Sequence, residues 1–142
     1  MAIHFYSEDI TFKPQKIIIL KNWLKSVIEN ENRKVGEINI VFCSDNFLLN
    51  LNEAYLRHHT LTDIITFQYS EPADISISGE IFISIERVRE NAILFNTTFS
   101  NELHRVIVHG VLHLLGHKDK TKPQKTNMHL KEDNCLSLLP QL

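Results

Sequence analysis

The segment VIVHGVLHLL, residues 106–115, sets two histidines in a strongly apolar stretch. Leu103, Val106, Ile107 and Leu114 recur at helical spacing, so the segment reads as a helix with a buried apolar face. His109 and His113 are four residues apart and project from one face, about one turn from each other. Two unpartnered imidazoles in such surroundings are costly to bury. The spacing therefore predicts that they share a partner. A single metal ion is the simplest one, since both ring nitrogens can reach it at about 2.0–2.1 Å if it is zinc.

Gly116 follows, where a helix end can turn sharply because glycine adopts positive φ without a Cβ clash. A residue just beyond can fold back as a third ligand. His117 and Asp119 both stand there. In the HExxHxxGxxH arrangement the third ligand lies three residues after the glycine, which here is Asp119. Asp119 is thus the favoured third ligand and His117 its rival. Three protein ligands leave a fourth position open, as catalytic rather than structural zinc sites do. Zinc peptidases carry a glutamate base directly after the first histidine. Gly110 occupies that place, which argues against peptide hydrolysis.

The remaining chain reads as one domain over residues 1–142, of ordinary globular composition. Strands are expected at residues 3–7, 35–43, 64–69 and in GEIFISI, with the turn-rich SEPADISIS before the last as a loop. Helices are expected beginning at Pro14 (Ile17, Leu20, Leu24, Val27), after Ser44 (Phe47, Leu48, Leu51, Tyr55) and over 86–96 (Val88, Ala92, Phe95). Two more begin at a Ser100 cap and at Pro123, the last turning Met128, Leu130 or Leu136 inward. The order predicts an α/β or α+β fold, a small mixed sheet covered by helices, with the metal site on a long helix and the turn after it.

The net charge of −2 does not announce a nucleic-acid binder. However, residues 117–131 hold Lys118, Lys120, Lys122, Lys125 and Lys131 against the single acid Asp119. That run abuts the histidine motif and can hold phosphates. Cys43 and Cys135 stand in no metal spacing and read as reduced thiols in a cytoplasmic protein. The N-terminus has no signal-peptide pattern, and no apolar run approaches membrane-spanning length.

HGVLHLLGHKD is similar to the HGxLHLxGYDH signature of the YbeY family, bacterial metal-dependent endoribonucleases of rRNA maturation. LNEAYLRHHTLTDIITF, GEIFIS, ELHRVIVHG and the Met-x-x-x-Glu tail in MHLKED resemble further family segments. Leu51, Asn52, Tyr55, Thr62, Asp63 and Phe67 are among the matches. The resemblance implies a zincin-like fold, one zinc-like ion, and cleavage of single-stranded RNA in processing the 3′ end of small-subunit rRNA and in ribosome quality control. It implies ribosomal RNA and the ribosome as partners. It carries the first two ligands onto His109 and His113, and the third histidine onto Asp119. A His-His-Asp set carries one more negative charge than three histidines, so another, harder divalent ion is a rival to zinc. An arginine implicated in activity falls on Leu56, while Arg57 stands one residue later, rotated by about 100° on a helix.

For the reaction itself, the ion is expected to act as Lewis acid and to lower the pKa of water. His117 and Glu80 are candidates for the base, Arg57 for a catalytic cation, and Lys118, Lys120 and Lys122 for RNA contacts. His58 and His59 lie in the segment with Asp63. His104 is expected off the ligand face, His4 and His129 have no partner pattern, and a surface or capping role is expected for all five of these histidines. A metallohydrolase of peptides or small amides, and a non-catalytic metal-stabilised assembly factor, are the competing readings.

Overall fold

A computed structural model describes residues 2–56 and 62–140. The elements run β1 (Ala2–Ser7), α1 (Ile17–Glu29), β2 (Lys34–Cys43), α2 (Asp45–Leu51), a π-helical turn (Asn52–Leu56), β3 (Ile64–Gln68), β4 (Ser76–Ser84), α3 (Ile85–Leu94), α4 (Phe99–Leu114) and α5 (Lys122–Ser137). The sheet order is β1-β2-β4-β3. β1 and β4 flank β2 in parallel, and β3 closes the edge antiparallel to β4. This is the mixed α+β architecture that the alternating pattern predicts.

Period-two alternation sorts the strand side chains to the two faces. Ile38, Ile40 and Phe42 of β2 and Ile77, Ile81 and Ile83 of β4 pack against Leu20, Leu24 and Ile28 of α1 and Ile107, Val111 and Leu114 of α4. On the opposite face Cys43, Ile65, Phe67 and Phe82 meet Phe47, Leu48 and Leu51 of α2. Burial in that second cluster raises the Cys43 thiol to about 12, so it is an inert core group.

Several boundaries differ from the sequence reading. Thr98, not Ser100, caps α4, its side chain accepting from Asn101 N at 3.1 Å. Ser100 falls in the first turn. β4 starts at Ser76, so the SIS end of the expected loop is strand. α1 starts at Ile17, after Lys16 in a left-handed conformation, and not at Pro14. Tyr55 lies on the π-helical turn and is exposed. Phe95 ends α3 facing solvent, and Leu130 points outward from α5, whereas Met128 is buried.

Candidate metal centre

α4 crosses the sheet with its backbone close to β4. A Cβ on Gly110 would lie 2.7 Å from Ile81 Cγ2 and 2.9 Å from Ile64 Cδ1. The residue after His109 therefore faces the sheet. His109 and His113 flank that contact and are part-exposed.

Gly116, at φ +98°, ends α4 in a Schellman turn: Gly116 N donates to His113 O at 2.9 Å and His117 N to Leu112 O at 3.0 Å. The His117 ring then meets Glu31, with Nε2 2.7 Å from Oε1 and 2.9 Å from Oε2. The loop is thereby tied to the segment after α1, and Asp119 turns back to the histidines. Asp119 Oδ2 lies 3.3 Å from His109 Nε2 and 3.4 Å from His113 Nε2, and the two Nε2 atoms are 3.0 Å apart.

Two ligands about 2.0–2.1 Å from a tetrahedral ion are about 3.3–3.4 Å apart. The three observed separations are close to that spacing. The donor chemistry fits as well. His109 Nδ1 is 2.6 Å from Glu132 Oε2, so it carries the proton of that hydrogen bond and leaves Nε2 with a lone pair. His113 likewise turns its Nε2 to the centre. Two imidazole lone pairs and a carboxylate oxygen thus converge on one point, an arrangement that a cation stabilises. Among the described residues, this is the group of His, Cys, Asp and Glu side chains able to hold an ion.

α5 supplies the outer support. Thr121 and Gln124 form a capping box and Pro123 occupies the first turn. Four residues separate Met128 from Glu132, so both face inward and are buried. Glu132 Oε1 accepts from Arg105 Nη1 at 2.9 Å, and Arg105 Nη2 reaches Asp133 Oδ1 at 2.6 Å. Burial disfavours charge on both His109 and Glu132, but their mutual bond, and for Glu132 the bond from Arg105 as well, outweighs it. His109 is raised above the usual imidazole range and Glu132 held below the usual carboxylate range. Burial and the neighbouring His109 lower His113. Asp63 is raised, chiefly by burial, although the His109 charge counteracts this. Asn91 Nδ2 is 3.4 Å from Asp63 Oδ2.

These shifts have a pH signature in the metal-free protein. The raised His109 contributes stability that is complete below about pH 6.5 and lost as pH rises through its folded pKa. The lowered Glu132 contributes stability that is complete above about pH 4.3 and lost as pH falls through its folded pKa. Urea melts without metal are expected to show a plateau of the pair's contribution between those limits. A His109→Ala variant should lose that plateau.

The other expected residues are distributed as follows. Lys118, Lys120 and Lys122 are exposed around the Asp119 loop. His117 stands apart from the donor group, against Glu31. Glu80 accepts from Tyr69 Oη at 2.5 Å. His104 packs edge-on to Trp23, and burial lowers its pKa. His4 faces Glu37 at 3.5 Å, and His129 is exposed. Arg57, His58 and His59 lie outside the described residues. Sequence reasoning gives no role to Glu132 or Arg105. The Met-x-x-x-Glu resemblance, which places Glu132 four residues after the inward Met128, is the available signal for Glu132.

Residues 2–140 match the family model described as endoribonuclease YbeY. A protein of that name from Flavobacterium psychrophilum is 49% identical over 133 residues, covering 94% of each chain. Another from Parabacteroides distasonis is 44% identical, covering 99% of this chain and 98% of its own. The solution structure of a Thermotoga maritima protein superposes with a TM-score of 0.67 at 27% identity, covering 96% of this chain and 88% of that one. With near-complete coverage by sequence and a shared fold, the chain belongs to the YbeY family of endoribonucleases.

Proposed function

We propose that this chain is a single-domain, zinc-dependent endoribonuclease that cuts single-stranded RNA in maturing the 3′ end of small-subunit ribosomal RNA, acting in the cytoplasm beside the ribosome. The observation that carries the reading is the convergence of His109 Nε2, His113 Nε2 and Asp119 Oδ2 at 3.0–3.4 Å. Their side chains are 20%, 26% and 36% exposed, so RNA has access to an ion held there. When bound, a divalent cation supplies Lewis acidity toward a phosphoryl group and lowers the pKa of water.

The chain's own residues do the rest. His109, His113 and Asp119 hold the ion, and Glu132 orients His109. Asp63, whose carboxyl is raised chiefly by burial, is the half-buried carboxylate coupled electrostatically to His109 and the group we assign to hold a proton. Lys118, Lys120 and Lys122 bind strand phosphates. Gly110 supports a nuclease over a peptidase, because a side chain there enters the sheet and not the cleft. The free thiols Cys43 and Cys135 suit a reducing compartment. Among the described residues, no helix is long and apolar enough to cross a membrane.

The test is purified protein, with its metal content measured, offered single-stranded rRNA fragments and peptides. RNA cleavage that a chelator removes and zinc restores is expected. Cleavage of peptides alone, or of neither substrate, overturns the reading. Neutralising Lys118, Lys120 and Lys122 together is expected to weaken RNA binding and flatten its salt dependence. On a single strand the log–log slope should fall by about 0.7 for each phosphate that the variant leaves unneutralised. An unchanged slope in filter-binding titrations removes these lysines from the interface.

A further inference from the structure

We infer that Arg105 and Glu132 form a positioning pair that selects Nε2 of His109 as its metal-binding nitrogen and sets how tightly the centre holds its ion. The inference rests on the metal-centre reading above and adds its tuning. Glu132 is 5% exposed, on α5, and bridges two residues of α4 that are four apart. One carboxylate oxygen lies 2.6 Å from His109 Nδ1, and the other accepts from Arg105 at 2.9 Å. The Arg105 guanidinium is held in turn by Asp133 at 2.6 Å. Each side chain in the series Asp133–Arg105–Glu132–His109 therefore has a defined partner.

A neutral imidazole places its proton on either nitrogen, and the ion needs the lone pair of Nε2. A carboxylate opposite Nδ1 stabilises the Nδ1–H form and makes Nε2 more basic. Such outer partners change metal affinity by about 10- to 100-fold. Arg105 is the part that a lone carboxylate could not replace. The guanidinium, 2.9 Å from the other carboxylate oxygen, keeps the buried Glu132 from turning away, so that the first oxygen stays opposite His109 Nδ1. The pair also joins α4 to α5, coupling the ligand helix to the helix that follows the Asp119 loop.

The test measures zinc affinity by chelator competition in the full chain and the His109 ring 15N pattern in metal-free protein at alkaline pH, where the imidazoles are neutral. Glu132→Ala is expected to bind zinc about 10- to 100-fold more weakly and to lose the Nδ1–H form. Glu132→Gln, whose amide oxygen still accepts a hydrogen bond, should fall between that variant and the parent. Arg105→Met should weaken binding by about tenfold with Glu132 intact. Circular dichroism and thermal melts separate these effects from unfolding. Should Glu132→Ala fail to fold, Glu132→Gln and Arg105→Met decide. Folded variants with parental affinity and a parental ring pattern overturn the inference. Parental protein that binds zinc tightly but cleaves no RNA overturns the functional reading and leaves the pair standing.

Discussion

Asp119→Ala is expected to lower zinc affinity by more than about 100-fold and to abolish chelator-sensitive RNA cleavage. Loss of an outer partner alone costs about 10- to 100-fold, so loss of a direct donor costs more. The fold should survive, because Asp119 is in a part-exposed loop anchored independently by the Gly116 turn and the His117–Glu31 contact. Metal analysis after gel filtration and a circular dichroism spectrum check both halves. Retained stoichiometric metal in Asp119→Ala, with loss in His117→Ala, would transfer the third-ligand role to His117. Asp119→His supplies the complementary result. It restores the family's third histidine and removes one negative charge. Selection should shift toward zinc and away from harder oxygen-preferring ions such as Mn²⁺ in competition experiments.

The parts of this molecule legible in the sequence are those governed by local rules. His109 and His113 follow from the helical period, and Asp119 from the distance after a glycine that permits a reversed turn. The strand β4 alternates regularly, whereas β2 carries a register shift between Val35 and Ile38 and buries its last four residues on both faces, which local pattern does not foretell. Thr98 and Ser100 are both capping types, and only backbone geometry distinguishes them. Glu132 stands in the Met-x-x-x-Glu segment and Arg105 in ELHRVIVHG, but their pairing is not legible, because they meet through the packing of α5 on α4, across 27 residues. A glutamate and an arginine on helices read as solvated charges until tertiary contact pairs them. Leu130 shows the same limit in reverse. It is apolar, yet the face that α5 turns inward is set by Met128 and Glu132, leaving Leu130 55% exposed. The motif puts His117 near the centre, and its ring is drawn away by Glu31, a residue 86 positions earlier.

Gly110→Glu is expected to destabilise the protein by more than about 3 kcal/mol and to create no peptidase. The substitution supplies the residue type that zinc peptidases place after the first histidine. Here the added Cβ alone would come 2.7 Å from Ile81 Cγ2 and 2.9 Å from Ile64 Cδ1, inside van der Waals contact. Gly110→Ala isolates that overpacking, which typically costs about 1–3 kcal/mol in a well-packed core. It is offset in part by alanine's helix propensity, favourable by about 1 kcal/mol over glycine. Glutamate adds the burial of a carboxylate against Ile81, which is fully buried, among apolar side chains of the core. Urea denaturation should therefore rank the parent, Gly110→Ala and Gly110→Glu in falling stability. A Gly110→Glu protein as stable as the parent would mean either that α4 lifts off the sheet or that the core accommodates the new side chain in place. The same close approach that forbids a side chain at 110 keeps α4 at its depth on β4, and with it the height at which His109 and His113 meet Asp119. A glutamate variant that is stable because α4 has lifted is therefore expected to lose zinc affinity as well. That joint outcome would separate a displaced helix from one that accommodates the new side chain in place.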